Sequence, residues 1–131
     1  MPRTKTCIRC ASKQPTENFH RNKNIPDGLA VYCKPCTAAI KRLHYFCVSA
    51  ERYAEMLAAQ SGRCAICQRP AADLRIGLTV DHDHNCCPGR RSCGNCIRDL
   101  ICDPCNRGIG FLGDSQDRLT AAAAYLARHK G

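Results

Sequence analysis

The sequence contains no tryptophan, and aromatic residues make up only 5% of its 131 positions. A short chain with so few large apolar side chains buries a thin core, so something besides burial must hold it together. The chain also lacks a run of roughly 18 apolar residues that could cross a membrane. Its first residues, MPRTKTC, lack the apolar stretch of a signal peptide. We therefore expect a cytoplasmic protein with no membrane partner.

Acidic residues are scarce as well. The chain has 11 Asp and Glu against 20 Lys and Arg, which gives a formal net charge of +9. Such an excess favours a polyanionic partner, such as a nucleic acid, over an acidic substrate or a membrane. The excess is uneven, because residues 1–44 hold nine Lys and Arg but only Glu17 and Asp27. We expect this N-terminal part to make the main contact with the polyanion.

What the chain has in abundance is cysteine, with 13 residues. Most of them fall in Cys-x-x-Cys pairs, and two such turns brought together supply the four thiolates that Zn²⁺ prefers. In a reducing cytoplasm these pairs indicate metal rather than disulfides, and a redox role would need a thioredoxin-like βαβ pattern that is not visible here. The pairs are Cys7 with Cys10, Cys33 with Cys36, Cys64 with Cys67, Cys93 with Cys96, and Cys102 with Cys105.

The spacing of the pairs predicts how they are used. The first two pairs enclose a zinc-ribbon-like spacing and indicate a small zinc-knuckle module over residues 1–36. The third and fifth pairs bracket an unusual tetrapeptide, residues 81–84. Between them lies a further group, whose use stays open: it could bind a third zinc ion, or its members could be free thiols in a flexible insertion. That group consists of Cys86, Cys87, Cys93 and Cys96.

The remaining pattern predicts short strands and helices. Two linking helices precede the third cysteine pair, two strands flank the tetrapeptide, and a helix opens at Asp103-Pro104 before a last, amphipathic helix. The predicted helices cover 37–46, 49–62 and 114–130, and the predicted strands cover 75–80 and 96–102. The resulting segments are 1–36 (zinc module), 37–62 (linking helices), 63–113 (core) and 114–131 (C-terminal helix).

The tetrapeptide Asp81-His82-Asp83-His84 carries the strongest chemical signal. It follows directly on a predicted strand, and the order strand, strand, helix can bring Asp81 beside Asn106. Carboxylate and amide oxygens are hard ligands that suit Mg²⁺ and leave room for water and phosphate. A histidine beside them can deprotonate water at neutral pH. From these residues alone, a catalytic site, zinc ligation and a solvated polar loop all stay open.

An ordered set of motifs resembles a known family. CAIC at 64–67, VDHDH at 80–84 and LICDPCNRGIG at 100–110 resemble the recombination endonuclease VII family of phage nucleases, within the ββα-metal (HNH-like) superfamily. The resemblance covers about residues 50–113. It implies a small, zinc-stabilised α+β fold, in which an N-terminal zinc knuckle precedes a ββα-metal nuclease core with flanking helices. It also implies an endonuclease that hydrolyses DNA phosphodiester bonds with Mg²⁺ or Mn²⁺.

The family's functional residues can be carried over one by one. The resemblance implies that Asp81 and Asn106 ligate the catalytic metal, that His82 is the general base, and that His84 contacts phosphate or the leaving side. It assigns a structural zinc ion to Cys64, Cys67, Cys102 and Cys105. The sequence departs from the family at Ile109, which stands where an acidic residue is usual, so any role of that residue is lost.

The sequence also allows other functions and several partners. A non-catalytic zinc-ribbon protein that binds nucleic acid through its basic surface is the main alternative, and a purely structural or partner-binding phage protein is a third interpretation. The sequence leaves open whether branched or packaging-intermediate DNA is cut. It also leaves open a homodimer, usual for junction-resolving members, and other phage packaging or recombination proteins as partners, all inside the bacterial host cell.

Overall fold

The structure is a computed structural model that describes residues 3–130, so the ends of the predicted segments at residues 1, 2 and 131 lie outside it. It confirms the small α+β class. The strands are β1 (Thr4–Thr6), β2 (Lys13–Pro15), β3 (Phe19–Arg21), β4 (Leu29–Cys33), β5 (Thr79–His82) and β6 (Ile97–Ile101). The helices are α1 (Lys34–Phe46), α2 (Ala50–Ala59), α3 (Asp103–Phe111) and α4 (Gln116–Arg128).

The chain forms two compact units, residues 1–50 and residues 51–131. The finer division into four segments stays a prediction. Within the described part of the chain, no helix has both the length and the apolar character needed to cross a membrane.

The N-terminal unit is built from two hairpins and a helix. β1 pairs with β2 and β3 pairs with β4, both antiparallel. Helix α1 begins directly after Cys33, and Pro35 lies in its first turn, where a missing N–H costs nothing. Cysteines supply most of the buried core, which consists of Cys7, Phe19, Cys33 and Cys36 with Leu29 and Tyr32 packed against it.

The second unit contains a hairpin followed by a helix. β5 and β6 pair antiparallel, with Thr79 opposite Ile101 and Val80 opposite Leu100. Helix α3 follows β6 after Cys102 and packs against β5. Leu100 is fully buried, and Val80 and Ile101 are buried as well. The order strand, strand, helix expected from the sequence is therefore present.

Both units repeat one local arrangement that sequence analysis did not bring out. In each, a Cys-x-x-Cys turn precedes a hairpin, and the second strand runs into a Cys-x-Pro-Cys turn that starts a helix. The hydrogen bonds repeat as well. The Cys33 N–H donates to Cys7 Sγ at 3.3 Å, and the Cys102 N–H donates to Cys64 Sγ at 3.3 Å. Each helix start is thereby tied to the opposite cysteine turn.

Several predicted element limits are wrong by a few residues. The strand predicted over 75–80 begins only at Thr79, because Gly77 adopts a φ of +71° that an extended strand cannot hold. The helix predicted over 49–62 ends at Ala59, and Ser61 and Gly62 follow with φ of 53° and 69°. Such left-handed residues close a helix by capping its last carbonyls.

A side-chain amide completes the edge of β6. Gln60 Nε2 donates to the Leu100 carbonyl at 2.8 Å and to the Arg63 carbonyl at 2.7 Å, while Gln60 Oε1 accepts from the Leu100 N–H at 2.9 Å. The amide therefore pairs with Leu100 as a neighbouring strand would. Because both atoms of the amide are used, no other side chain of this size could replace it.

We predict that Gln60→Ala lowers the free energy of unfolding by about 1–3 kcal/mol, the cost of leaving a part-buried backbone group without its partner. Gln60→Glu should cost at least as much, because a carboxylate can accept from the Leu100 N–H but cannot donate to the two carbonyls. Urea denaturation of the zinc-loaded variants measures both. A Gln60→Glu variant as stable as the wild type would contradict this role.

Candidate functional site

Twelve of the cysteines form three groups of four. Within each group all sulfur atoms lie within 4.8 Å of one another, and all thirteen cysteines are free of disulfides. The first group is Cys7, Cys10, Cys33 and Cys36; the second is Cys64, Cys67, Cys102 and Cys105; the third, which we call the loop cluster, is Cys86, Cys87, Cys93 and Cys96. These groups could each hold a zinc ion.

The sulfur spacing fits a tetrahedral metal site. With Zn–S bonds of about 2.3 Å, tetrahedral geometry places neighbouring sulfurs about 3.8 Å apart. The Cys10–Cys33 separation is 3.9 Å and the Cys67–Cys102 separation is 3.7 Å. In the loop cluster, Cys86 lies 3.9 Å from Cys93. Disulfide bonds, at about 2.05 Å, would need far shorter separations.

In the second group, the surroundings of Cys64 favour its thiolate, whereas burial raises the pKa of Cys102 and of Cys105. Burial alone would raise the pKa of the Cys64 thiol, but backbone N–H groups of Cys67, Cys102 and Ile66 donate to its Sγ and lower the pKa to about 6. Cys7 in the first group has the same environment, and its pKa is also lowered to about 6 against the effect of burial. Since zinc binds the thiolate, these donors favour the form that a metal needs.

Asp81 lies near the end of β5 and is only 5% exposed. Its carboxylate is held by the guanidinium of Arg98, with Nε at 2.6 Å and Nη2 at 3.0 Å. The hydrogen bonds to Asp81 raise the pKa of Arg98 above its usual value. A buried carboxylate needs a cationic or hydrogen-bonding partner, and here Arg98 provides it.

An irregularity in the hairpin brings Arg98 to Asp81. Val80 pairs with Leu100, but the next pair is His82 with Ile97, so β6 contributes one more residue than β5 between these two positions. Arg98 and Asp99 thus face Asp81 alone. A bulge of this kind re-aims side chains next to functional sites. The sequence did not reveal Arg98, because neither its spacing nor its type marked it out from the other basic residues.

Asp114 is a second residue that sequence analysis missed. It follows α3 with a φ of 53°, and its Oδ2 accepts from His84 Nδ1 at 2.8 Å and from Arg98 Nη2 at 3.3 Å. Burial raises the pKa of Asp114, but the His84 hydrogen bond and the Arg98 charge outweigh it and hold the pKa below its usual range. His84, Asp114, Arg98 and Asp81 therefore form one continuous chain of polar contacts.

His82 is buried and held by the backbone of the following loop. Its Nε2 lies 3.0 Å from the Cys87 carbonyl oxygen and 3.1 Å from the Gly89 carbonyl oxygen. Carbonyl oxygens only accept, so Nε2 must carry a hydrogen and donate it. In the neutral ring the lone pair is then on Nδ1. The His82 and His84 rings lie side by side, with centroids 4.4 Å apart.

The other residues of the predicted site occupy different positions. Asp83 accepts from the Asn85 N–H at 2.9 Å, so its carboxylate stabilises the turn after β5. Asn106 is half-buried on the first turn of α3, the helix that packs against β5, and its backbone N–H donates to the Cys102 carbonyl. Beside this part of the unit lies a cleft of about 330 Å³ whose lining includes His84, Asn85 and Asp114.

The second unit thus combines a ββα arrangement and a four-cysteine group with a carboxylate, histidines and an amide on adjoining elements. The model of the recombination endonuclease VII family matches residues 38–128, which is most of the chain. The protein therefore belongs to the recombination endonuclease VII family, as the sequence motifs indicated.

Individual relatives and structures are also similar to this chain. It is 38% identical over 82 residues to the Gene 59 protein of Mycobacterium phage D29 and 32% identical over 80 residues to that of Mycobacterium phage L5. These alignments cover 62% and 60% of this chain but 44% and 43% of the relatives, so the chain spans less than half of their length. A solved structure, the ββα-Me type II restriction endonuclease Hpy99I, aligns with a TM-score of 0.38 and 24% identity over 97% of this chain and 66% of that one.

Replacing Arg98 tests the electrostatic network. We predict that Arg98→Met lowers the free energy of unfolding by about 1–3 kcal/mol in magnesium-free buffer. This is less than the roughly 3–5 kcal/mol for breaking a fully buried pair, because Arg98 is itself partly exposed and water can reach the carboxylate. Chemical denaturation of the zinc-loaded protein measures it.

Arg107→Met is the matched control, since Arg107 forms an exposed ion pair with Asp103 at 3.7 Å. That pair should contribute no more than about 0.5 kcal/mol. If both variants lost the same stability, the Arg98 pair with Asp81 would have no special role.

Proposed function

We propose that this protein is a DNA endonuclease that hydrolyses phosphodiester bonds with the help of a divalent metal ion. Its membership of the recombination endonuclease VII family supports a nuclease. The observation that carries the proposal is the state of His82: two backbone carbonyls hold its Nε2–H, so its Nδ1 is the basic nitrogen, and it directly follows a buried carboxylate.

In this proposal His82 is the general base. A base must be held in one orientation and one tautomer so that its lone pair meets the water it activates. The two carbonyl contacts provide that restraint for His82. His84, which is exposed and bonded to Asp114 beside the cleft, is placed to contact a phosphate or the leaving side.

Asp81 and Asn106 are the proposed ligands of a catalytic Mg²⁺ or Mn²⁺ ion. Their carboxylate and amide oxygens are the hard donors that these ions prefer, and the buried Asp81 already holds a cationic group. When bound, such an ion supplies polarisation of the scissile phosphate and stabilisation of the leaving oxygen. Arg98 would then exchange Asp81 for another anion, and its partly exposed side chain leaves it room to do so.

The zinc ions would have a structural role. Four thiolates fill a tetrahedral site and leave no open position for substrate. In the second group they would tie the turn before the hairpin to the helix that carries Asn106.

Substitution of His82 tests the proposal. We expect His82→Ala to slow metal-dependent nicking of supercoiled plasmid by at least about 10²-fold, the usual contribution of a general base. His129 is an exposed histidine at the end of α4. His129→Ala is therefore the matched control and should cut at the wild-type rate. Unchanged cleavage by His82→Ala would show the base assignment to be wrong.

The same assay separates the main alternative. A wild-type protein that binds DNA with a steep salt dependence, yet cuts neither plasmid nor four-way junction with Mg²⁺ or Mn²⁺, would be the non-catalytic zinc-ribbon binder. Zinc content must be equal in all samples, because loss of the metal would abolish cleavage through the scaffold alone.

We further propose that the basic N-terminal unit makes the main contact with the DNA backbone. It carries most of the positive excess, and many of its basic side chains are exposed, including Lys13, Arg21 and Lys23. Each phosphate neutralised by such a residue releases counterions and steepens the dependence of binding on salt.

Changing Lys13, Arg21 and Lys23 together to Gln should weaken DNA binding and reduce the slope of log K against log[salt]. The reduction is expected to be up to about 0.9 for each phosphate that the variant no longer neutralises. Fluorescence anisotropy with a labelled duplex at several salt concentrations measures the slope.

The matched control removes the same charge from the second unit, by changing Arg69, Arg75 and Lys130 to Gln. These residues are exposed as well. An equal loss of slope in both triple variants would contradict the proposed division of labour between the units.

The preferred substrate is proposed to be branched or packaging-intermediate DNA, on the basis of the family's recombination role. A branched substrate has two duplexes to hold, which a homodimer would serve. Exposed apolar side chains such as Phe111, Tyr125 and Leu126 in the second unit are compatible with such pairing. Comparing the cleavage of a four-way junction with that of a linear duplex tests the substrate, and analytical ultracentrifugation tests the homodimer.

Interaction with other phage packaging or recombination proteins stays a prediction. The host cytoplasm as the location of the protein also stays a prediction.

A further inference from the structure

The loop that holds His82 has no helix or strand of its own. Residues 83–96 connect β5 to β6 without regular secondary structure. Long irregular loops in a compact unit are held by specific contacts or stay mobile. This loop contains both carbonyl groups that accept from His82, at Cys87 and Gly89, and all four sulfurs of the loop cluster.

The loop cluster has the local hydrogen bonds of a metal-thiolate site. The Cys93 N–H donates to Cys87 Sγ at 3.3 Å, and the Asn95 N–H donates to Cys93 Sγ at 3.4 Å. The Ser92 hydroxyl, which is buried, lies 3.4 Å from Cys96 Sγ. Such outer contacts orient thiolate ligands and stabilise their charge.

The cluster is also connected by the backbone to the motif at residues 81–84. The Asp83 carbonyl accepts from the N–H groups of Cys86 and Cys87, both at 3.1 Å, and the Asp83 N–H donates to the Cys96 carbonyl at 2.9 Å. Cys87 therefore contributes a sulfur to the cluster and a carbonyl to His82. A shift of the Cys87 backbone therefore moves both a sulfur of the cluster and a carbonyl that holds His82.

We propose that the loop cluster binds a third zinc ion whose function is to position His82, by fixing the Cys87 and Gly89 carbonyls that hold its Nε2–H. Without the ion, no bond holds the four sulfur atoms at these short separations, and thiolates among them repel one another. The loop then opens, the carbonyls leave the ring, and His82 samples both tautomers. The cysteines of the loop are positioning residues, since they act on the base and not on the substrate.

The exposure of the three groups sets this ion apart. In each of the first two groups at least two cysteines are buried, whereas Cys86 and Cys93 are exposed and Cys87 and Cys96 are half-buried. A chelator in solution reaches the loop ion first. Its removal should therefore leave the two units folded while His82 loses its orientation.

The test uses the full chain and two readouts that do not depend on cleavage. Elemental analysis should give three zinc ions per wild-type chain and two for Cys93→Ser. Long-range ¹H–¹⁵N correlation of the histidine rings, with the His82 signals assigned from His82→Ala, should show the Nε2–H tautomer in the wild type. In Cys93→Ser the same signals should shift to the averaged values of exchanging tautomers.

Two further variants separate positioning from a general loss of structure. Cys93→His keeps a zinc ligand and should restore the third ion and the His82 pattern. Cys47→Ser removes a cysteine that belongs to none of the three groups and should keep three ions. If Cys93→Ser is not recovered folded, Cys86→Ser removes another exposed ligand and gives the same readouts.

A wild-type chain with only two zinc ions would overturn the proposal. So would a variant with two ions whose His82 signals match the wild type. The role of His82 as base rests on the proposed function, and there Cys93→Ser should lower the cleavage rate by about 10–100-fold with unchanged DNA affinity. A chain that shows the zinc count and the His82 response but never cuts DNA would refute the nuclease and leave the coupling of loop and ring established.

Discussion

The structure depends on cysteine turns that are fastened to the starts of helices. In each unit a backbone N–H at the second strand's end donates to a sulfur of the opposite turn, and the Cys-x-Pro-Cys sequence then begins a helix. A chain without tryptophan cannot obtain this rigidity from burial alone. Metal binding by such four-cysteine groups would replace the missing core, because its free energy would become folding free energy. The positions of β5, β6 and α3, and hence of the whole candidate site, follow from that arrangement.

The local chemistry of the candidate site is governed by how a buried negative charge is balanced. Asp81 is taken out of water by the hairpin and is compensated by Arg98, which also reaches Asp114. Either a divalent ion or a guanidinium can balance the charge of a buried carboxylate. His82, the neighbour of Asp81, is restrained by neutral carbonyls instead. Two adjacent side chains thus face different environments, one cationic and one made of carbonyl dipoles, as the proposed metal ligand and the proposed base require.

Much of this could be predicted from the sequence. The cysteine pairs indicated two of the four-sulfur groups, and turn and helix signals placed α3 and α4 to within two residues, because Pro104 and Ser115 mark helix starts by local chemistry. The members of the loop cluster were noticed but could not be assigned, since adjacent cysteines such as Cys86 and Cys87 are unusual ligands. Arg98 and Asp114 could not be found at all. Their roles depend on a strand irregularity and on a left-handed residue, and neither has a signature in residue type or spacing.

The extra residue in β6 also makes the number of residues in this strand matter for the contact between Asp81 and Arg98. Between the paired positions at Val80 and His82 the two strands differ by one residue. A ladder that continued regularly from the Val80–Leu100 pair would place Asp99 opposite Asp81 and Arg98 opposite His82, on the other face of the hairpin. Insertions after Gly89 and before Ser92, in contrast, lengthen an exposed segment outside the ladder. The contact between Arg98 and Asp81 therefore depends on the extra residue in β6, whereas the exposed segment lies outside the ladder.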